Sequence, residues 1–205
     1  MSYATISDLR SQLGSAPKTP TQEAYARKQL HQVPDAPVVN RAEFVLTRCE
    51  GKRVLEFGAS GKLHEAVVAI AAKVMGVDRA DADGVLGFDL DDVTQSHVPD
   101  PYDFAPEIIL CGEVLEHLGN PQWFLTRLRR QYPGVPVLIT VPNAHSRSGA
   151  NALQAGTENV NIDHVSWYSY RTLRTLLERV GYTMTLCGWY NGAPLVAEGL
   201  IVMAD

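Results

Sequence analysis

From Asn40 onward the apolar positions fall into two kinds of block. Phe44, Val45 and Cys49 share one helical face behind Asn40, an N-cap residue with Glu43 three positions on, the spacing of a capping box. Gly51 closes that helix. Arg53–Phe57, Val74–Asp78, Gly84–Asp89, Ile108–Cys111 and Val137–Val141 are short, nearly continuous apolar runs bounded by turn residues. Strands covered on both faces read this way. Between them stand helical patterns. Leu63–Val74 is rich in Ala and Val, and Asn120-Pro121 pairs a cap with proline at the first helical position. Trp123, Phe124, Leu125 and Leu128 follow, up to the turn at Pro133-Gly134. Leu173, Leu176, Leu177 and Val180 stand at i, i+3, i+4 and i+7 ahead of Gly181. Thr183–Trp189 and Leu195–Met203 are strand-like and flank Asn191-Gly192, which predicts an antiparallel hairpin. The interval between the second and third strands is too short for a full helix.

Residues 1–39 differ. They are polar, carry Pro17, Pro20, Pro34 and Pro37, and show helical spacing at Ile6, Leu9 and Leu13 and again over Gln22–His31. They read as a partly helical N-terminal extension, either a lid over the main domain at 40–205 or a partly mobile segment.

Strands alternating with helices predict a mostly parallel sheet, and such sheets bind ligands beyond the carboxyl ends of their strands. The site is therefore expected around 56–62, 78–79, 89–92, 112–117 and 142–146. Acids stand at these ends. Glu56 precedes Gly58, Asp78 ends the second strand and Asp89 the third. A glycine turn lets backbone approach a ligand, and a following helix offers free N–H groups. An acid about 20 residues on can accept ribose hydroxyls. The turn Gly58-Ala59-Ser60-Gly61-Lys62 is neither G-x-G-x-x-G nor a P-loop. This argues against a pyrophosphate or triphosphate and for a ligand joining a nucleoside to an amino acid, whose ammonium an acid can pair with.

Six stretches then carry a resemblance: VLEFGASGKL (54–63), VMGVD (74–78), GFDLDD (87–92), IILCGEVLEHLGNPQWFLTRLRR (108–130), VLITVPNAHS (137–146) and HVSWYSYRTLRTLLERVGY (164–182). In this order they resemble the class I S-adenosylmethionine-dependent methyltransferases, in particular the small-molecule branch similar to the MetW and ubiquinone-methyltransferase groups. The segment Glu113-Val114-Leu115-Glu116-His117 is the most telling. The resemblance implies an α/β, Rossmann-like doubly wound sheet of seven strands, mostly parallel, with the C-terminal antiparallel hairpin. It implies S-adenosylmethionine as methyl donor and S-adenosylhomocysteine as product. It assigns Glu56, Gly58, Ala59 and Gly61 to the cofactor loop, Asp78 to the ribose, Asp89 and Leu90 to adenine, and Cys111, Gly112 and Glu113 to the strand end beneath the sulfonium. Ser60 and Lys62 depart from the family pattern, where glycines are usual.

Methyl transfer from a sulfonium is an in-line displacement, in which alignment can contribute about 7–11 kcal/mol. A hydroxyl acceptor also benefits from a base, and histidine suits neutral pH. His117, His145 and His164 lie at the expected edge. Each can equally be a hydrogen-bonded loop or cap residue. The sharper reading makes His145 and His164 the acceptor-side pair, with Asp163 orienting one of them. Trp167, Tyr168 and Tyr170 read as core or cap packing, or as a stacking wall for the acceptor. Residues 146–162, rich in Gly, Asn and Ser, read as a mobile loop over the acceptor.

Composition narrows the field without naming the acceptor. Net charge is −5, so no general nucleic-acid face is expected, and Arg127, Arg129 and Arg130 read as a solvated helix face. Cys49, Cys111 and Cys187 fit neither a disulfide scaffold nor a zinc site, and no metal is expected. No apolar run reaches membrane-spanning length, and a reducing cytoplasm is the natural compartment. Gly112-Glu113-Val114-Leu115 replaces the Pro-Pro-aromatic motif of DNA-base methyltransferases, and the missing G-x-G-x-x-G disfavours an NAD oxidoreductase. Two readings remain: an O-methyltransferase for a small hydroxylated metabolite such as a sugar or glycan precursor, or a non-catalytic cofactor-binding module with a degenerate glycine loop.

Overall fold

The computed structural model describes Thr21, Val33 and residues 35–95, 97–98 and 104–205. The predicted helices and lid before residue 35 lie outside these. Asp35–Asp205 forms a compact unit. Its elements are α1 (Arg41–Cys49), β1 (Arg53–Phe57), α2 (Gly61–Ile70), β2 (Lys73–Asp78), β3 (Val85–Gly87), β4 (Ile108–Gly112), a 3-10 turn (Leu115–His117), α3 (Pro121–Gln131), β5 (Val137–Pro142), α4 (Arg147–Gln154), α5 (Tyr170–Arg179), β6 (Met184–Tyr190) and β7 (Gly199–Ala204).

The seven strands form one sheet in the order β3-β2-β1-β4-β5-β7-β6. Only β7 runs antiparallel, between β5 and β6. The chain leaves β1 for β2 on one side and returns to β4 on the other, which makes the β1/β4 boundary the switch point where a crevice opens. Register brings the strand ends level: Phe57 lies opposite both Val77 and Cys111, so Gly58, Asp78 and Gly112 emerge at one edge.

Both sheet faces are covered, which explains the continuous apolar runs. Val54, Ile108, Leu110 and Leu138 pack with Phe44, Val45 and Cys49 of α1 and Val67 of α2. On alternate positions, Phe57 meets Phe124 of α3 edge-to-face at 5.1 Å. Caps fix the helix starts. Asn40 accepts from the Glu43 N–H at 3.1 Å, and Asn120 from that of Trp123 at 3.0 Å. The fully reciprocal capping box lies instead at α5, between Ser169 and Thr172.

Three elements differ from the sequence reading. β3 keeps only three residues, and β7 begins at Gly199 rather than Leu195. Gly199 has no room for a side chain, because a Cβ there would lie 2.0 Å from Tyr190 Cζ. Within the expected loop 146–162, α4 forms, capped by Ser146 accepting from the Gly149 N–H. It buries no residue. Among the described residues no helix is long and apolar enough to cross a membrane.

Candidate active site

A cleft of about 640 Å³ opens at the strand ends, and Glu56, Gly58, Asp78, Asp89, Leu90, Gly112 and Glu113 all line it. Acids from three neighbouring strand ends thus meet in one crevice. Gly58 is required twice: its φ is +74°, and a Cβ would sit 2.7 Å from Val114 Cγ2. The backbone therefore passes flush under the cleft floor. Gly61 also takes a left-handed φ, +67°, as α2 begins. Gly61, Ala59 and Cys111 support the site rather than line it: Ala59 and Cys111 are buried, and burial pushes the Cys111 thiol far up.

Glu56 is 3% exposed, with Oε2 2.7 Å from His64 Nδ1. Burial pushes its carboxyl up, and His64 pulls it down. Asp78 accepts from the Arg79 N–H at 2.6 Å, and Asp89 from the Asp91 N–H at 3.0 Å. Asp91 in turn accepts from the Gly119 and Asn120 N–H groups at 2.9 and 3.1 Å, tying this loop to the start of α3.

Arg127 corrects the reading of a solvated basic face. It is 2% exposed, and its guanidinium donates to the carbonyls of Leu90, Asp92 and Gln95. It is the inward brace of the loop carrying Asp89 and Leu90. Sequence reasoning missed it because α3 presents three arginines in four positions, and spacing does not say which one turns inward. Arg41 was missed as well. Its Nε donates to Thr140 Oγ1 at 3.1 Å, and its Nη2 lies 3.8 Å from Glu113 Oε1 on the cleft wall. The Tyr190 hydroxyl donates to the same Glu113 oxygen at 2.7 Å, which fixes a residue held at φ +58°.

A smaller cleft of about 140 Å³ adjoins this region, lined by Asn143, Ser146, Ser148, Asn161, Trp167 and Glu198 together with Glu116 and His164. His117 and Asp163 line the larger cleft instead. The His117 and His164 rings meet edge-to-face at 4.7 Å. These two are 47 positions apart in sequence. Hydrogen bonds join them: the Val165 and Ser166 N–H groups donate to the Glu116 carbonyl at 2.8 and 3.1 Å, and the Tyr168 hydroxyl to the Leu115 carbonyl at 3.2 Å. Glu116 is 1% exposed, neither carboxylate oxygen has a partner, and burial beside Glu113 pushes its carboxyl up to about 8. Burial, and then His117, hold the His164 imidazole below its usual range. Glu116, His117 and His164 bring their ligating atoms within 4.8 Å of one another, a grouping the sequence reading, which expected no metal, did not make. His145 is exposed and lines neither cleft; its N–H donates to Asn143 Oδ1 at 3.1 Å. Tyr168 and Tyr170 are buried, so of the aromatic cluster Trp167 alone lines a cleft.

An acid-lined crevice at the switch point of this doubly wound sheet belongs to the Rossmann-like α/β proteins that bind a nucleoside-bearing cofactor. Residues 26–186 match the model of a family described as methyltransferase domain, and the chain belongs to that family. No curated protein matches it in sequence. Solved structures share the fold. The small RNA methyltransferase HEN1 is similar at TM-score 0.62 and 14% identity, over 86% of this chain and 27% of that one. This chain thus spans about a quarter of that protein. A SAM-dependent methyltransferase from Aquifex aeolicus is similar at TM-score 0.58 and 18% identity, over 80% and 88% of the two chains. One from Archaeoglobus fulgidus gives 0.56 and 16%, over 80% and 94%.

Proposed function

We propose that this protein is an S-adenosylmethionine-dependent methyltransferase acting on a hydroxyl of a small, polyhydroxylated acceptor of the sugar type. One observation carries the reading: two clefts of different chemistry meet at Glu116, His117 and His164. The larger is lined by acids from three strand ends; the smaller is lined by polar side chains, among them Asn161, Ser148 and Glu198, with Asn143 and Ser146 buried in its wall and bonded to backbone. Amides and hydroxyls in a small groove suit hydroxyl-bearing ligands. The net charge of −5 disfavours a polyanionic acceptor.

The donor set fits the cofactor. A buried carboxylate at Glu56 suits an ammonium, and the Arg41 guanidinium suits an α-carboxylate. Gly58 lets the loop lie directly against Val114 and the Gly112 carbonyl, where a side chain would force the backbone to shift. Asp78 is the ribose acid, and Asp89 with Leu90 holds adenine. When bound, S-adenosylmethionine supplies an electrophilic methyl group on a sulfonium. The chain's own residues do the rest. Glu56, Asp78 and Asp89 fix the donor, the small cleft orients the acceptor, and the acceptor hydroxyl loses its proton at the Glu116–His117–His164 junction. His117 and His164 are the catalytic residues in this reading.

The test is calorimetry with S-adenosylhomocysteine, followed by a methyl-transfer assay over free and nucleotide-linked monosaccharides. Binding in the micromolar range with turnover on at least one sugar is expected. Binding without turnover on a broad panel would favour the non-catalytic module with a degenerate loop. No binding would sink the methyltransferase reading.

A further inference from the structure

We propose that Glu116, His117 and His164 form a binding site for one divalent transition-metal ion at the junction of the two clefts. This rests on the methyltransferase reading for its role, and on the side chains alone for its existence.

The strongest sign is Glu116. A carboxylate that is 1% exposed with both oxygens unpartnered is costly, since buried polar groups are almost always satisfied. A cation held with two imidazoles resolves both the charge and the lone pairs. The three donors already lie within 4.8 Å of one another. Metal–ligand bonds of about 2.0–2.2 Å place neighbouring donors roughly 3–3.5 Å apart. The remaining closure, at most about 1.3–1.8 Å, is within reach of side-chain rotation about fixed backbones. The backbones are fixed by the bonds from Val165 and Ser166 to Glu116 and from Tyr168 to Leu115. Glu113, itself anchored by Arg41 and Tyr190, acts electrostatically on both Glu116 and His164 and adds negative charge near the ion.

Two imidazoles and one carboxylate suit Mn²⁺, Co²⁺ or Zn²⁺ better than Ca²⁺ or Mg²⁺, which prefer all-oxygen shells. Three protein ligands leave positions open, as catalytic sites require. His117 lines the cofactor cleft while Glu116 and His164 line the acceptor cleft, so those positions face both. An acceptor hydroxyl bound there is acidified by the ion and gives its proton to solvent water. Its oxygen lone pair then forms the C–O bond to the methyl carbon as the C–S bond breaks, and the sulfur keeps that electron pair as a neutral thioether.

The test uses the full chain dialysed against EDTA, then titrated with Mn²⁺ followed by paramagnetic resonance and with Co²⁺ followed by its visible spectrum. One ion per chain is expected, with Co²⁺ bands marking nitrogen ligation. Glu116→Gln and His164→Ala should each weaken Mn²⁺ at least about tenfold while leaving S-adenosylhomocysteine affinity within about twofold. Should either variant fail to fold by circular dichroism, His117→Ala replaces it and is read for Mn²⁺ affinity alone, since His117 lines the cofactor cleft. A wild-type chain that binds S-adenosylhomocysteine but takes up neither ion at 1 mM overturns the site and leaves the methyltransferase reading intact. Uptake unchanged in the variants overturns it equally. Ion uptake without S-adenosylhomocysteine binding upholds the site and removes only its methyl-transfer role.

Discussion

Arg127→Met replaces the brace of the loop carrying Asp89 and Leu90 with a neutral side chain of similar length. Arg127 donates to three carbonyls, those of Leu90, Asp92 and Gln95, the last two at 3.1 Å. Hydrogen bonds to a charged group are worth about 1.5–3 kcal/mol each, so their sum is roughly 4–9 kcal/mol. Two terms offset this. Methionine avoids the cost of burying a cation, several kcal/mol in such settings. Asp92 and Gln95 are not buried, so their carbonyls can turn to water. Leu90 is buried and its carbonyl stays orphaned, a penalty of about 1–3 kcal/mol. The net expectation is a loss of about 2–4 kcal/mol in urea unfolding, read as a lower midpoint at unchanged slope. Because the loop carries Asp89 and Leu90, S-adenosylhomocysteine affinity should fall about tenfold by calorimetry, or 1.4 kcal/mol. Stability within about 0.5 kcal/mol of wild type, the range of ordinary surface changes, together with unchanged affinity, would refute the brace.

Asp78→Ala should weaken S-adenosylhomocysteine by about 1.5–3 kcal/mol, and an unaltered dissociation constant would remove Asp78 from the ribose contact. Gly58→Ala should lower stability by about 1–3 kcal/mol, because φ +74° is strained for alanine and its Cβ meets Val114 Cγ2. Adding Val114→Ala should recover only part of that loss in thermal melts, and full recovery would show that backbone strain is not involved. His164→Ala should lower methyl transfer at least about 10²-fold while His145→Ala leaves it near wild type, and the reverse order would place the acceptor beside His145. Tyr190→Phe removes the hydrogen bond to Glu113 and should destabilise by about 1.5–3 kcal/mol, measured by denaturant titration.

The sequence by itself determined the strands of the parallel sheet and the edge that holds the site. Val54–Phe57, interrupted only by Glu56, and Ile108–Cys111 are legible because a strand covered on both faces reads as a near-continuous apolar run. Glu56, Asp78 and Asp89 are legible as a set because alternating strands and helices bring every strand's carboxyl end to one edge, whatever the packing between them. The tertiary structure decided what depends on direction and on distant partners. Whether β7 adds outside β6 or slips between β5 and β6 is a choice of pairing, to which the hydrophobic pattern of either strand is indifferent. Which of Arg127, Arg129 and Arg130 turns inward depends on the carbonyls that α3 meets, and those lie more than 30 positions earlier. His164 joins His117 only because backbone bonds to Glu116 fold the two segments together, and no periodicity encodes a contact across 47 residues. Local pattern records a side chain's burial and period; the identity of its neighbour across the fold is set by closure of the chain around the sheet.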